Sequence, residues 1–410
     1  MYVVIYFIHT TMSFYQFLTI LIILPLPFIP EQFVAIPVKI LIGIFSIFLL
    51  PIFYKEFLLD IKIKFFPTIF FLAFIFVTAI TTTFSIDYDK SIMQFYIFFC
   101  FFIVFVSIRS IFPSFKSKEL LELLFISIVS ILSFISLYNT LVRHYVSRDA
   151  LSFLWIYFGH NHLSALLVFA IPLALYFLKT YWVKKKIRFL LIVNCLLLIV
   201  SLLFTFSIGS MFALGLSFLI VFFLFAKYIS TKEFPIKKVY FMVFLTIAIL
   251  GISSFYLFSE TKGIESIKLW KNPSMHAQAR FVYWRAAYDN FKKNPLTGTG
   301  LETFNEALGK LGNIGKTAYT THAHNFFVQM LTDTGIFGFL TSITLIGSVL
   351  WQGYLKIKDS SLNKESFFFI SLYAGILAST LNSLIDLDWH APAVFLFFWI
   401  FTGLFRKNVN

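Results

Sequence analysis

The sequence predicts an all-α polytopic integral membrane protein, with about 12 transmembrane helices and a large outer loop between the ninth and tenth. Three observations predict it. The 410 residues are 59% hydrophobic and only 13% charged, roughly half the charged share of a soluble domain. Apolar runs long enough to cross a bilayer recur along the chain. The basic residues sort unevenly between alternate loops. The same figures exclude a water-soluble enzyme, a disordered tail and, despite a net charge of +14, a nucleic-acid-binding factor.

A hydrocarbon core needs about 20 apolar residues per helix. Runs on that scale lie near 14–30, 37–54, 65–83, 91–108, 119–138 and 163–180, then near 187–205, 209–227, 238–258, 326–355, 367–385 and 392–405. The run at 326–355 is too long for one simple crossing, so its first part, FFVQMLTDTG, is expected outside the core and the span to start near Gly335. The first run follows neither a charged region nor a small-residue cleavage site and reads as a retained helix. Cys100 and Cys195 sit inside apolar runs, where a thiol behaves as a small hydrophobe.

With a cytoplasmic N-terminus, 20 of the 33 basic residues fall in inner segments. Only Lys39, Lys90, Arg143 and Arg148 fall in short outer loops, and the long outer loop, 259–325, holds the rest. Both termini are therefore expected in the cytoplasm, with residues 1–410 forming one transmembrane domain. Arginine and histidine break this pattern. Four of 7 arginines and seven of 8 histidines fall outside. A topological charge can be lysine or arginine equally, whereas arginine's planar fork suits phosphate and carboxylate. The chemistry is thus expected on the outer face.

The outer residues gather in three places. His160-Asn161-His162 stands where the chain re-enters the membrane for the sixth span, with Asn161 or Ser164 as a cap. In the long loop, Asn272-Pro273-Ser274 starts a helix running to about Lys293. It aligns His276, Arg280 and Trp284 at i, i+4 and i+8, with Phe281 and Tyr288 close to that stripe and Arg285 elsewhere. The turn PLTGTG follows, its glycines suited to bringing backbone amides to a ligand, and THAHN then places His322 and His324 before the tenth span. Asp386, Asp388 and His390 close the eleventh.

Two chemistries compete for these side chains. A metal reading would draw on His160, His162, His322, His324, His390, Asp386 and Asp388. No HExxH or CxxC accompanies them. The acid–base reading needs one neutral imidazole, a carboxylate to hold its tautomer and arginines facing a phosphate leaving group. It is the one preferred, with no metal and no cofactor.

Arg280…Trp284, Pro295…Gly298…Gly300 and His324-Asn325…Gln329…Gly335 together resemble the signature of the O-antigen ligase/O-antigen polymerase superfamily of bacterial membrane glycosyltransferases. NSLIDLDWHAPA resembles its closing motif, and Gly159-His160-Asn161 its asparagine-containing motif at the sixth span. The resemblance implies a multi-pass protein of the bacterial inner membrane whose 259–325 loop is periplasmic and catalytic. It implies transfer of a glycan from undecaprenyl diphosphate to an acceptor hydroxyl, on lipid A–core for a ligase or on another glycan for a polymerase. His324 would be the general base and Arg280 the diphosphate clamp. Arg285, Arg143, Arg148, Asn161, His160, His322, Asn325 and Asp386 would bind substrate. The reaction is expected to be metal-independent. One feature departs from the family: the arginine common at the start of its eighth span is missing from FTFSIGSMFAL, where Ile208 and its neighbours are uncharged. Arg143, Arg148 or Arg285 must then substitute, or catalysis is altered; a non-catalytic family member acting as a scaffold is a further reading. A transporter of lipid-linked sugars would spread ionisable groups through its spans. Here they collect at outer loops.

Overall fold

The computed structural model describes residues 13–23, 25–28, 31–142, 160–205, 207–229, 273–309, 322–360, 363–386 and 388–405. Among them the secondary structure is helical, with no strand. The helices are α1 (Phe14–Ile23), α2 (Glu31–Lys62), α3 (Phe66–Thr83), α4 (Tyr88–Ile111), α5 (Phe115–Val142), α6 (His160–Thr180) and α7 (Lys185–Phe204). They continue as α8 (Ile208–Ile229), α9 (Pro273–Lys293), α10 (Phe304–Gly309), α11 (Phe326–Lys358), α12 (Lys364–Asn382) and α13 (Pro392–Gly403). Short 3₁₀ turns occupy Leu26–Phe28 and Asp388–His390.

Eight of the described helices are long and apolar enough to cross a membrane: α2 (from Val38), α3 to α8, and α11. They coincide with eight of the twelve expected spans. The other four fare differently. Of the run at 14–30, the described residues form α1 and the 3₁₀ turn, where Pro25 and Pro27 supply no amide to a helix. The span near 238–258 lies outside the described residues. Helix α12 is long enough but carries Ser371, Ser379, Thr380 and Asn382, all buried between α6 and α8. Inside a bundle such groups bond to neighbouring helices, and the Ser217 hydroxyl of α8 donates to Ala374 O across 2.6 Å. Helix α13 has 12 residues, about 18 Å at 1.5 Å per residue, and is buried along its whole length against α4.

The break expected near Gly335 is present. At this residue φ is 67° and ψ −165°, so α11 is two helices meeting at a kink. The kink sets the first nine residues, which carry Gln329 and Asp333, apart from the apolar remainder.

Polar contacts gather at two ends of the bundle. At one end Glu119 bonds to Tyr176 and lies 2.7 Å from Lys364, and buried Arg109 pairs with buried Glu56. At the other Lys90 pairs with Glu306, and Asn161 meets Asp386. Segments that the charge pattern groups on one side therefore meet one another.

Candidate functional site

Three loops converge at the second end, and the glycine turn organises them. Gly298 (φ 65°) and Gly300 (φ 107°) adopt left-handed conformations that glycine alone adopts without steric cost. A Cβ on Gly298 would sit 2.5 Å from Thr334 N, and one on Gly335 would sit 2.5 Å from Leu296 C. The turn thus lies directly on the kink of α11. There Thr299 N donates to Thr332 O (3.1 Å), Gly300 N to Asp333 O (2.8 Å), and Ile336 N to Pro295 O (2.9 Å). Carbonyls orphaned by the helix break are satisfied by the turn's amides. This corrects one expectation. The amides of Thr299 and Gly300 serve the helix end, not a ligand.

The remaining motif residues fix the segment 322–325. Asn325 caps α11, its side-chain oxygen accepting from Phe327 N and Val328 N, while its amide nitrogen donates to Leu384 O. Gln329 is fully buried; it accepts from Ala323 N (2.8 Å) and donates to both carboxylate oxygens of Asp333. Asp333 in turn accepts from Glu302 N (3.0 Å). Trp284 of α9 donates to Ala323 O (3.0 Å). Ala323 is thus gripped at both its amide and its carbonyl, and the histidines on either side are set in place.

His324 has φ 51°, a left-handed conformation uncommon for a non-glycine residue. Such strain persists where the surroundings enforce it and clusters at functional sites. Its ring lies nearly parallel to Tyr283, 5.8 Å between centroids, and its Nδ1 is 3.7 Å from the buried Asp386 carboxylate. Asn161 donates to the same Asp386 oxygen across 3.1 Å. The structure therefore brings together His324, Asn161 and Asp386, three residues that lie far apart in the chain. Arg280 is half-buried on α9, and Tyr283, Trp284 and Ala287 follow it at i+3, i+4 and i+7, so it belongs to the face that meets Ala323 and His324.

Other expected residues are placed differently. Arg285 is exposed, on the side of α9 opposite Ala287 and Asn290. Phe281 and Tyr288 are exposed, with Phe281 packing edge-to-face on Trp284 of the stripe. Arg143 and Arg148 lie outside the described residues, as do the side chains of His160 and His276. Ser164 donates back to Asn161 O (2.8 Å) and pairs with Ser210. Ser210 stands two residues from Ile208, where the family arginine is missing, and it accepts from Asn382, which also donates to Asp388. A neutral network fills that region. Burial, and then the Asp386 charge, raise the Asp388 carboxyl well above its usual range.

Beside His324 lies a cluster that the sequence did not reveal. His322 and His390 stack with centroids 4.0 Å apart, and both face Glu302: His390 Nδ1 is 3.1 Å and His322 Nδ1 3.6 Å from its carboxylate. Burial, followed by the adjacent His390, pushes His322 down to about 3, so its imidazole is neutral at pH 7. Burial opposes ionisation of Glu302, but the two imidazoles outweigh it and hold the carboxyl below its usual range. Glu302 also has a left-handed backbone, φ 60°. No signal in the sequence marked it, because an acidic residue after a turn is commonplace.

A polytopic helical membrane protein with a histidine–carboxylate site where its loops meet one end of the bundle is the class that fold and geometry define. Residues 193–343 match the family described as O-antigen ligase, which supports the resemblance read from the sequence over that segment. The matched segment contains Arg280, the glycine turn, His324, Gln329 and Gly335, whereas Asn161, Asp386 and His390 come from outside it. No curated protein matches the chain.

Proposed function

We propose that the protein transfers a glycan from undecaprenyl diphosphate to an acceptor hydroxyl at the periplasmic face, with His324 as general base and Arg280 as diphosphate clamp. The observation that carries the reading is the approach of His324 Nδ1 to Asp386, whose same oxygen accepts from Asn161. A carboxylate at Nδ1 fixes the tautomer and leaves Nε2 to accept the hydroxyl proton. The 3.7 Å separation is of the kind that tightens when substrate binds.

In the reaction the acceptor oxygen attacks the anomeric carbon while the bond to the diphosphate breaks, and the lipid diphosphate leaves with the electron pair. His324 takes the hydroxyl proton, a role worth typically about 10²–10⁴ in rate. A guanidinium about 4 Å from a phosphate charge gains roughly 4 kcal/mol at an effective dielectric near 20. Arg280 lies on the face of α9 that meets the His324 segment, which supports this role. Lipid A–core is the acceptor in the ligase form of the reading, and a growing glycan in the polymerase form.

The test is glycan transfer by membranes carrying His324→Ala or Arg280→Ala, with protein levels matched. Loss of transfer in both is expected. Full activity in both would overturn the assignment.

A further inference from the structure

Glu302, His322 and His390 come from three separate segments: the turn after Gly300, the stretch before α11 and the 3₁₀ turn after α12. We propose that they form a divalent-cation site of the zinc class, each supplying one ligand atom, with a fourth position left to water or another oxygen ligand.

The geometry is close to what such an ion needs. One ligand atom from each residue lies within 4.8 Å of the others. Tetrahedral bonds of about 2.0–2.2 Å put ligand atoms roughly 3.3–3.6 Å apart, and the Nδ1 atoms of His390 and His322 lie 3.1 and 3.6 Å from the carboxylate of Glu302, each nearest a different oxygen. Two imidazoles and one carboxylate are a recurrent zinc set that leaves one position open, whereas magnesium and calcium take oxygen ligands.

The surroundings fix the backbone that carries two of these ligands. Asp333 accepts from the Glu302 amide, and Ala323, next to His322, is fixed by Gln329 and Trp284. His390 Nε2 is buried with no hydrogen-bond partner, and two imidazoles stacked over one carboxylate are an arrangement that hydrophobic packing alone does not require. The three side chains are 10–23% exposed, so an ion has a route in. The site departs from the metal-free expectation drawn from the sequence. Relative to the candidate ligands read from the sequence, it adds Glu302 and omits His160, His162, His324, Asp386 and Asp388. The ion would staple three segments beside His324, while the proton chemistry of His324 does not pass through it. Metal binding and glycan transfer therefore stand or fall separately.

The test uses the full chain purified in detergent with a tag free of histidine, stripped with chelator and titrated with Zn²⁺ or Co²⁺. About one ion per chain is expected by elemental analysis, with a visible Co²⁺ d–d band and Zn²⁺-dependent thermal stabilisation. Glu302→Gln and His390→Ala should each weaken binding by more than about 100-fold, since loss of an outer-shell partner alone costs about 10–100-fold. His324→Ala should bind metal as the parent does. His390→Cys, which keeps a ligand, should retain Co²⁺ and add a sulfur charge-transfer band. A parent protein that gives neither retained ion nor Co²⁺ band would overturn the proposal. So would undiminished binding in both ligand variants, or a His390→Cys protein that binds Co²⁺ without the sulfur band.

Discussion

Gln329→Leu tests how the site is held, because it removes every polar atom of a fully buried side chain at similar volume. In the parent, Gln329 accepts from Ala323 N at 2.8 Å and donates to Asp333 at 2.9 and 3.0 Å. Leucine would leave the buried Ala323 amide unsatisfied, at about 1–3 kcal/mol, and would remove the Asp333 bonds, worth a further 1–2 kcal/mol or so. A loss of roughly 2–5 kcal/mol concentrated on one short segment is enough to release it locally. His324 would then leave its place beside Asp386. The expected result is a lower unfolding temperature in detergent and a fall in transfer rate larger than the change in the donor's KM. Gln329→Glu keeps the acceptor for Ala323 but places a second carboxyl against Asp333, so it should restore little. An unfolding temperature and transfer rate both equal to the parent's would refute the claim that Gln329 sets the position of His324.

Three further outcomes follow from the same contacts. Gly298→Val forces a branched side chain into φ 65° and against the Thr334 backbone, so the turn should undock, with a stability loss beyond the roughly 1–2 kcal/mol of the left-handed conformation alone; thermal unfolding and proteolysis of the turn read it. Asp386→Asn should leave expression intact and cut the transfer rate by about 10²-fold or more, the low end of a general base's contribution, as measured by steady-state transfer. Arg109→Met leaves the buried Glu56 without its charged partner and should destabilise the bundle by about 3–5 kcal/mol, while a Glu56→Leu, Arg109→Met double variant should recover most of that; unfolding curves of the single and double variants decide it.

Much of the bundle was legible because a bilayer imposes a one-dimensional rule. Apolar length and basic-residue sorting located eight long helices and the break at Gly335 without knowledge of any contact. The same rule failed where tertiary packing replaced lipid. Buried Ser371, Ser379 and Asn382 make α12 too polar for a lipid-facing span, and α13 is too short for one, yet both are enclosed by other helices. The motif residues were legible as an ordered set, but most of their work was not. Asn325 caps a helix, Gln329 tethers an amide, and Gly298 and Gly335 press backbone on backbone. Spacing along a chain carries no record of such roles.

By itself the sequence determined the class of protein, the family resemblance and the choice of His324, Arg280 and Asp386 as residues to watch, since these rest on composition and local pattern. Only the tertiary structure decided that Asp386 and Asn161 stand at His324, that the glycine turn serves a broken helix, and that Glu302 faces His322 and His390. Each of those depends on segments distant in sequence meeting in space, and that distance is closed by the packing of the bundle.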